Sequence, residues 1–313
     1  MTGEEAVFGA VDWGGTWIRA ALVAGDTVLH RERMYRAAAL PEQYEQILDL
    51  VRRCIAAVGR QPVAVGLGVA GIVQREAVMT AVNIGITSAT EVALGLAALG
   101  RPVFVLNDAH AAAIGLAARW PDELTAVLTM GTGIGGAVID RGRLLAGNGA
   151  AGDFGHIVVD PYGPQCPCGG AGCLEMMVSG KVLAAAAEAL AVTGRSPYLA
   201  GLRESGERLH GGHLQEAAAA GDALAEAALK RAATVLVAGV RSIVAALDPA
   251  RIVVSGALLA DGAPFGTLVA RRWTDLRPAW CATPLIHMNG DEDAALRGAA
   301  RFAATRLASD ASS

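Results

Sequence analysis

Four stretches of this chain carry residues whose types and spacing suit chemistry. The tightest is His156 followed by Cys166, Cys168 and Cys173, with glycines at 169, 170 and 172. Three thiols and an imidazole within 18 residues, joined by glycines that let the loop fold back, match a Cys3His zinc site. Four protein ligands leave no open coordination position, so this zinc is expected to be structural. Reduced thiols clustered in a surface loop without a metal would be an oxidation hazard. The second stretch is Asp12-Trp13-Gly14-Gly15-Thr16. A carboxylate at a strand end, two glycines and a hydroxyl make a tight turn whose amides can approach a phosphate, and the carboxylate is suited to a hydrated Mg2+. The third is Gly131-Thr132-Gly133-Ile134-Gly135-Gly136, with bare amides and a hydroxyl for the outer phosphates of a nucleotide. No Lys-Ser/Thr follows it, so it is not a Walker A loop, and it leads into a strand rather than the helix of a dinucleotide fingerprint. The fourth is Asn107-Asp108 at a strand end, with Ala109 opening a helix. Asp108 there is either the helix N-cap or a general base at the carboxyl end of a strand, where ligands of open α/β sheets bind.

The elements that position these residues alternate. Strands are expected at 6–12, 17–23 and 26–31, followed by a helix over 41–58 with Tyr44, Ile47, Leu48, Val51 and Ile55 at helical spacing. Strand 63–69, helix 91–99, strand 103–106 and helix 109–119 follow. The pattern then restarts with strand 125–130, the glycine turn and a hairpin over 136–145. An irregular stretch over 147–175 holds the cysteines, and Ala-rich helices over 180–192 and 214–247 lead to strand 251–255. Strand, turn and helix signals in alternation read as α/β, and the repeated strand–glycine turn–strand order predicts two related lobes. The tail from Ser309 to Ser313 is expected to fray.

Composition narrows the function classes. With 313 residues, 53% of them hydrophobic, the chain has material for one or two well-filled domains and is not a disordered segment. A net charge of −4 with no basic block argues against a nucleic-acid surface. No uncharged apolar run reaches ~18 residues, so no membrane span is expected. The acidic start, Met1 to Glu5, lacks the layout of a signal peptide. With Cys54 and Cys281 the chain has five cysteines, three of them clustered, which fits a reducing cytoplasm better than a disulfide framework.

Taken together and in this order, the motifs resemble the ROK family of repressors and sugar kinases, within the actin-like ATPase superfamily. The resemblance runs from Asp12 to about Arg301 and is most specific over Gly155-His156 and Cys166-x-Cys168-Gly169-x-x-Gly172-Cys173-Leu174-Glu175. It implies two ribonuclease-H-like lobes, each a mixed sheet with helices, and a cleft between them. The expected small lobe is 1–108, completed by a C-terminal helix over about 294–308. The large lobe is 109–293 with the zinc loop 156–175. The implied activity is ATP-dependent phosphorylation of a hexose, at the 6-hydroxyl, with Asp108 as general base. Asp12, Gly14, Gly15, Thr16, Thr132, Gly133 and Gly256 match the family's nucleotide-binding positions, for ATP with Mg2+. Asn83, Asn107, Asp108, Asp153, His156 and Glu175 match its sugar-contacting positions. His156 has two duties: one ring nitrogen for zinc, the other for the sugar. A homodimer or homotetramer is implied.

Three departures stand out. The family commonly has two glycines where this chain has Ser255-Gly256. It usually has Glu-x-Gly-His where this chain has Asp153-Phe154-Gly155-His156, a carboxylate one methylene shorter. An aromatic commonly follows the sugar-binding Asn by three residues, and here it is Ile86. The last two changes fall where the sugar would lie, which makes an amino hexose or a C7 cyclitol a serious alternative to glucose. A sugar-responsive transcriptional regulator is disfavoured, because Asp12 already lies in the first strand and the residues before it are too few for a helix-turn-helix. A nucleotide-dependent oxidoreductase is disfavoured by the missing helix after Gly136.

Overall fold

The computed structural model describes residues 5–288 and 291–311. In chain order its elements are β1 (Val7–Trp13), β2 (Trp17–Ala24), β3 (Thr27–Tyr35), α1 (Leu40–Val58), β4 (Val65–Val69), β5 (Ile72–Gln74), β6 (Ala77–Thr80), α2 (Val92–Gly95), β7 (Val103–Asn107) and α3 (Asp108–Ala117). Then come β8 (Leu124–Met130), β9 (Ile134–Asp140), β10 (Arg143–Leu144), α4 (Leu174–Met177), α5 (Gly180–Val192), α6 (Pro197–Glu204), α7 (Gly211–Ala219) and α8 (Ala223–Leu247). The chain closes with β11 (Arg251–Ser255), α9 (Pro264–Leu276), β12 (Leu285–Met288) and α10 (Ala294–Asp310). The two main sheets have the orders β3-β2-β1-β4-β7 and β10-β9-β8-β11-β12, the same plan twice, as the repeated sequence pattern predicts. Each pairs an antiparallel edge with parallel strands. This is the expected mixed α/β class.

The chain divides into two compact units. The first runs to Asp122 and adds Ala137–Ala151 and the chain from Asp291 onward; the second holds Glu123–Gly136 and the stretch from Gly152 through β12. The first unit thus extends past the expected 108/109 boundary, which would have cut α3 from β7 at its first residue. It includes the C-terminal helix.

In the first unit β1 is buried along almost its whole length because helices cover both sheet faces. One face is a hydrocarbon core, with Val11, Trp13, Ile18 and Leu22 of the strands against Ile47, Leu48, Val51 and Cys54 of α1. A buried polar link crosses it: Trp13 Nε1 donates to Gln43 Oε1 at 2.8 Å, and Gln43 Nε2 donates to Ile84 O at 3.2 Å. That link fixes the turn carrying Asn83. The other face admits α3 and α10 closely because small residues line it. A Cβ on Gly66 would lie 1.9 Å from Ala299 O, and one on Gly298 would lie 1.7 Å from Ala111 O. In the second unit α7 and α8 are two helices rather than the single one expected over 214–247. Gly221 turns the chain at φ 93° and Asp222 caps α8 by accepting from Leu224 N and Ala225 N. The helix expected over 91–99 is only α2 and a following 3-10 turn, with Gly95 set against the Tyr44 ring. β5, β6, α6, α9 and β12 are additional to the elements that sequence periodicity predicts. The tail expected to fray is helical to Asp310, and Ser312 and Ser313, like Met1 to Glu4, lie outside the described residues. Among the described residues no single helix is long and apolar enough to cross a membrane.

The α3–α10 approach gives a direct prediction. Gly298→Ala must push a methyl into backbone and should destabilise the protein by ~1–3 kcal/mol. Gly201→Ala, where nothing lies within 4 Å of the new methyl, should instead stabilise by about 0.5–1 kcal/mol as a helix-interior glycine replacement. Thermal or urea unfolding of both variants checks the contrast.

Candidate active site

In the first unit the turn after β1 has its carbonyls tied and amides left over. Ala70 N donates to Trp13 O at 3.1 Å, Arg36 Nε to Gly15 O at 2.8 Å and Arg36 N to Thr16 O at 2.9 Å. The Gly14 amide is taken by Trp17 O at 3.0 Å. The amides of Gly15 and Thr16 have no protein acceptor among the described residues, and both residues are exposed. A turn with its acceptors occupied and donors free is built for an anion. Asn83, also exposed, lies alongside: a Cβ on Gly15 would sit 3.7 Å from the Asn83 Cβ.

β7 passes into α3 without a loop. The N-cap is Asn107, whose Oδ1 accepts from Ala109 N at 2.8 Å and His110 N at 3.1 Å, so the reading of Asp108 as the cap is corrected. The Asn107 Nδ2 donates to Gly71 O at 2.8 Å, which leaves that side chain one N–H for a ligand. Asp108 is therefore the first helical residue, with Oδ1 near Ala109 N at 2.9 Å and Oδ2 without a protein partner among the described residues. Burial, and next the charge of Asp12, hold its carboxyl up at about 6 against the pull of the Ala109 amide. Asp12 is nearly buried, and its partner is Arg19, whose Nε donates to Oδ2 at 2.8 Å while a second guanidinium nitrogen ion-pairs with the same oxygen. The carboxylate expected to hold Mg2+ is thus met first by a guanidinium. Neither Arg19 nor Arg36 belongs to a motif that the sequence alone singles out. The signal for Arg19 was hairpin register, since a tight turn at 14–16 sets Asp12 opposite Arg19.

In the second unit the turn at 131–133 follows the same rule. Gly131 O accepts from Gly180 N at 3.0 Å and Thr132 O from Lys181 N at 3.1 Å, while the Gly131 amide is taken by Gly133 O at 3.0 Å. The Thr132 and Gly133 amides have no protein acceptor among the described residues. Gly256 backs this turn at φ 129°, where a Cβ would lie 2.0 Å from Met130 O, so no other residue fits. Glu175, second residue of α4, accepts from Ile134 N through Oε2 at 3.2 Å and overlies Gly133. Asp153 Oδ2 stands 3.7 Å from His156 Nε2. Partial burial pushes the Asp153 carboxyl up, His156 draws it back down, and Glu175 adds to the rise. The structure therefore brings Asp153, His156 and Glu175 within one electrostatic neighbourhood.

The cysteine loop supports that neighbourhood. Cys166 Sγ lies 3.6 Å from His156 Nδ1, and Cys168 Sγ lies 3.6 Å from Cys173 Sγ. All four donor atoms fall within 4.8 Å of one another. Zn–S bonds of ~2.3 Å in a tetrahedron put sulfurs about 3.8 Å apart, so this donor set fits zinc. The Gly170 amide, with the neighbouring thiols, holds the exposed Cys168 thiol down at about 7, whereas burial and those same thiols push Cys173 up to about 12, so it is the donor geometry that fits the metal. Gly172, at φ 66°, lets the loop pass where a Cβ would strike Asp160 O. Cys173 directly precedes α4, so the cluster brings His156 together with the start of the helix bearing Glu175.

Residues 8–306 match the ROK family. The chain is 36% identical over 187 residues to the N-acetylmannosamine kinase of Salmonella paratyphi A, a match covering 57% of this chain and 63% of that protein. The chain thus spans less than two thirds of that relative's length. It is 34% identical over 264 residues to the glucokinase of Streptomyces coelicolor, covering 80% of this chain and 82% of that one. A crystal structure of a ROK family glucokinase from Streptomyces griseus in complex with glucose and AMPPNP aligns with TM-score 0.79 and 29% identity, over 96% of this chain and 100% of the other. With the family pattern matched over nearly its full length, this chain belongs to the ROK family.

Proposed function

We propose that this chain is an ATP-dependent sugar kinase that phosphorylates the 6-hydroxyl of a hexose, with Asp108 as general base. The observation that carries the reading is the division of labour at the start of α3. Asn107 does the capping, so Asp108 keeps an oxygen free, in surroundings that hold its carboxyl near the pH at which a base works best. The sugar hydroxyl gives its proton to Asp108 as its oxygen bonds to the γ-phosphorus of ATP. The bond from that phosphorus to the bridging oxygen breaks, and ADP leaves. Phosphoryl transfer needs mainly position and charge compensation. The free amides at Gly15 and Thr16, and at Thr132 and Gly133, are the donors we assign to the phosphates, and Gly256 to the nucleotide's side of that second turn. Mg2+ bound with ATP would neutralise phosphate charge. Asn83, Asn107, Asp153, His156 and Glu175 are assigned to sugar hydroxyls. The glucokinase and N-acetylmannosamine kinase relatives support a hexose acceptor.

Asp108→Asn should keep the fold and lower turnover at least about a hundredfold. In the native protein the acid limb of kcat/KM should fall near pH 6, because the base must be ionised and burial with Asp12 has raised it there. A coupled ADP-release assay over pH measures both; near-native turnover in the variant rejects Asp108 as base.

The zinc assigned to His156, Cys166, Cys168 and Cys173 is structural. One zinc per chain is expected in freshly purified, reduced protein. Cys173→Ser should lose it and weaken sugar binding, while Cys54→Ser and Cys281→Ser should retain it. Metal analysis beside sugar titration checks this; full sugar affinity without zinc would remove the ion from the account.

An amino hexose is favoured over glucose. Asp153 is about 1.5 Å shorter than Glu, enough to break a direct hydrogen bond to a hydroxyl. Its carboxylate and that of Glu175 act on each other, and a cationic amine would relieve both with a charge-assisted bond. The kcat/KM for 3-amino-3-deoxyglucose or glucosamine should exceed that for glucose, with cyclitols next, and Asp153→Glu should shift the ranking toward glucose. Glucose best in both proteins would make the substitution neutral.

A further inference from the structure

Arg19 is held more firmly than a surface arginine needs to be. It sits on β2 directly across from Asp12, and both of its bonds to that residue fall on Oδ2. Its Nη1 donates to Glu292 O at 2.7 Å, in the segment leading into α10. On β3, Arg31 ion-pairs with Asp293 in the same segment. The Asp12 side chain is only 13% exposed. An almost buried carboxylate without a partner would be poorly solvated and free to turn.

What Asp12 faces makes its orientation matter. Its register partner on β4 is Gly68, so the two share a sheet face. A Cβ on Gly68 would end 3.7 Å from the Asp108 Cα and 3.3 Å from the Ala111 Cβ. Gly68, the β4 neighbour of Asp12, thus lies directly beneath the start of α3. We propose that Arg19 is a positioning residue of the phosphoryl-transfer site: by clamping Asp12 through Oδ2 it sets where that carboxylate points and how much of its charge reaches Asp108.

On α10, which packs against α3, Arg297 pairs with Asp291 of the segment before it, Arg301 with Asp26 and Arg306 with Glu76. On β3, Arg31 pairs with Asp293 and lies 3.6 Å from Glu292, and Arg33 lies over the Trp17 ring at 4.8 Å. His110, on α3 itself, is buried and pushed toward its neutral form. Asp12 is the charged side chain that raises Asp108. Removing the Arg19 charge leaves the Asp12 charge uncompensated, and a like charge nearby disfavours ionisation of Asp108.

The effect of Arg19 on catalysis rests on Asp108 being the base; its effect on the Asp108 carboxyl does not. The test is therefore a carbon-13 titration of aspartate carboxyls in the unliganded protein, with the Asp108 signal assigned by its loss in Asp108→Asn. In Arg19→Met the Asp108 midpoint should rise by about one pH unit. Arg19→Gln, which keeps a polar side chain without the charge, should do the same and serves if Arg19→Met does not fold. Arg19→Lys should stay close to native. Asp12→Asn should lower the midpoint, and adding Arg19→Met to Asp12→Asn should change nothing further. The acid limb of kcat/KM should move with the midpoint in each variant. An unmoved midpoint in both charge-removing variants, or an equal shift with and without Asp12, would overturn the proposal. Native turnover in Asp108→Asn with the titration pattern intact would instead overturn only the base.

Discussion

The Asn107 side chain governs the site in the first unit. β7 becomes α3 with no intervening loop, so the first amides of the helix open directly at the strand end. Asn107 Oδ1 satisfies two of them, and its Nδ2 reaches Gly71 O, tying the helix start to the segment after β4. Were Asp108 the cap, its carboxylate would be occupied by helix amides and stabilised as the anion, a poor base. With Asn107 in that place, Asp108 moves one residue into the helix and keeps one oxygen clear of the helix amides. Its raised carboxyl follows from burial beside Asp12 and is a cost to the folded state that function can explain.

Backbone bonding carries the rest. Each unit has a glycine turn after its first strand, and in each the carbonyls are tied down by neighbouring groups while amides remain open. Arg36 and Ala70 do this for the turn at 14–16, and the first residues of α5 do it for the turn at 131–133. Two turns built on one rule, in two sheets of one plan, are what a duplicated ribonuclease-H-like fold would leave. The cysteine loop adds a different kind of constraint. With zinc bound as proposed, it would hold one end of a long irregular segment through His156 and the other through Cys173, and Asp153 and Glu175 ride on those two ends.

Much of this was legible in the sequence, for identifiable reasons. The strands of the first sheet are apolar runs stopped by glycine, and the His156–Cys173 spacing is too specific to arise from loop composition alone. The rest depended on register and on single-residue boundaries. Which of Asn107 and Asp108 caps α3 turns on where β7 ends, a question of one residue that periodicity does not resolve. Arg19 meets Asp12 only once the hairpin is paired. Alanine-rich sequence keeps helical spacing across Gly221, so periodicity runs α7 and α8 together, and only the Asp222 cap marks the restart. β5 and β6 are too short for alternation to show.

The proposed reaction is phosphoryl transfer from ATP to a sugar oxygen. The most direct measurement is phosphorus–proton correlation NMR of the products formed from ATP with a panel of hexoses, amino hexoses and cyclitols, using zinc-replete protein. For a hexose or amino-hexose acceptor the account predicts one sugar phosphate per ADP, with the phosphorus coupled to the protons on carbon 6. ADP accompanied only by free phosphate, with no sugar ester from any acceptor, would contradict it.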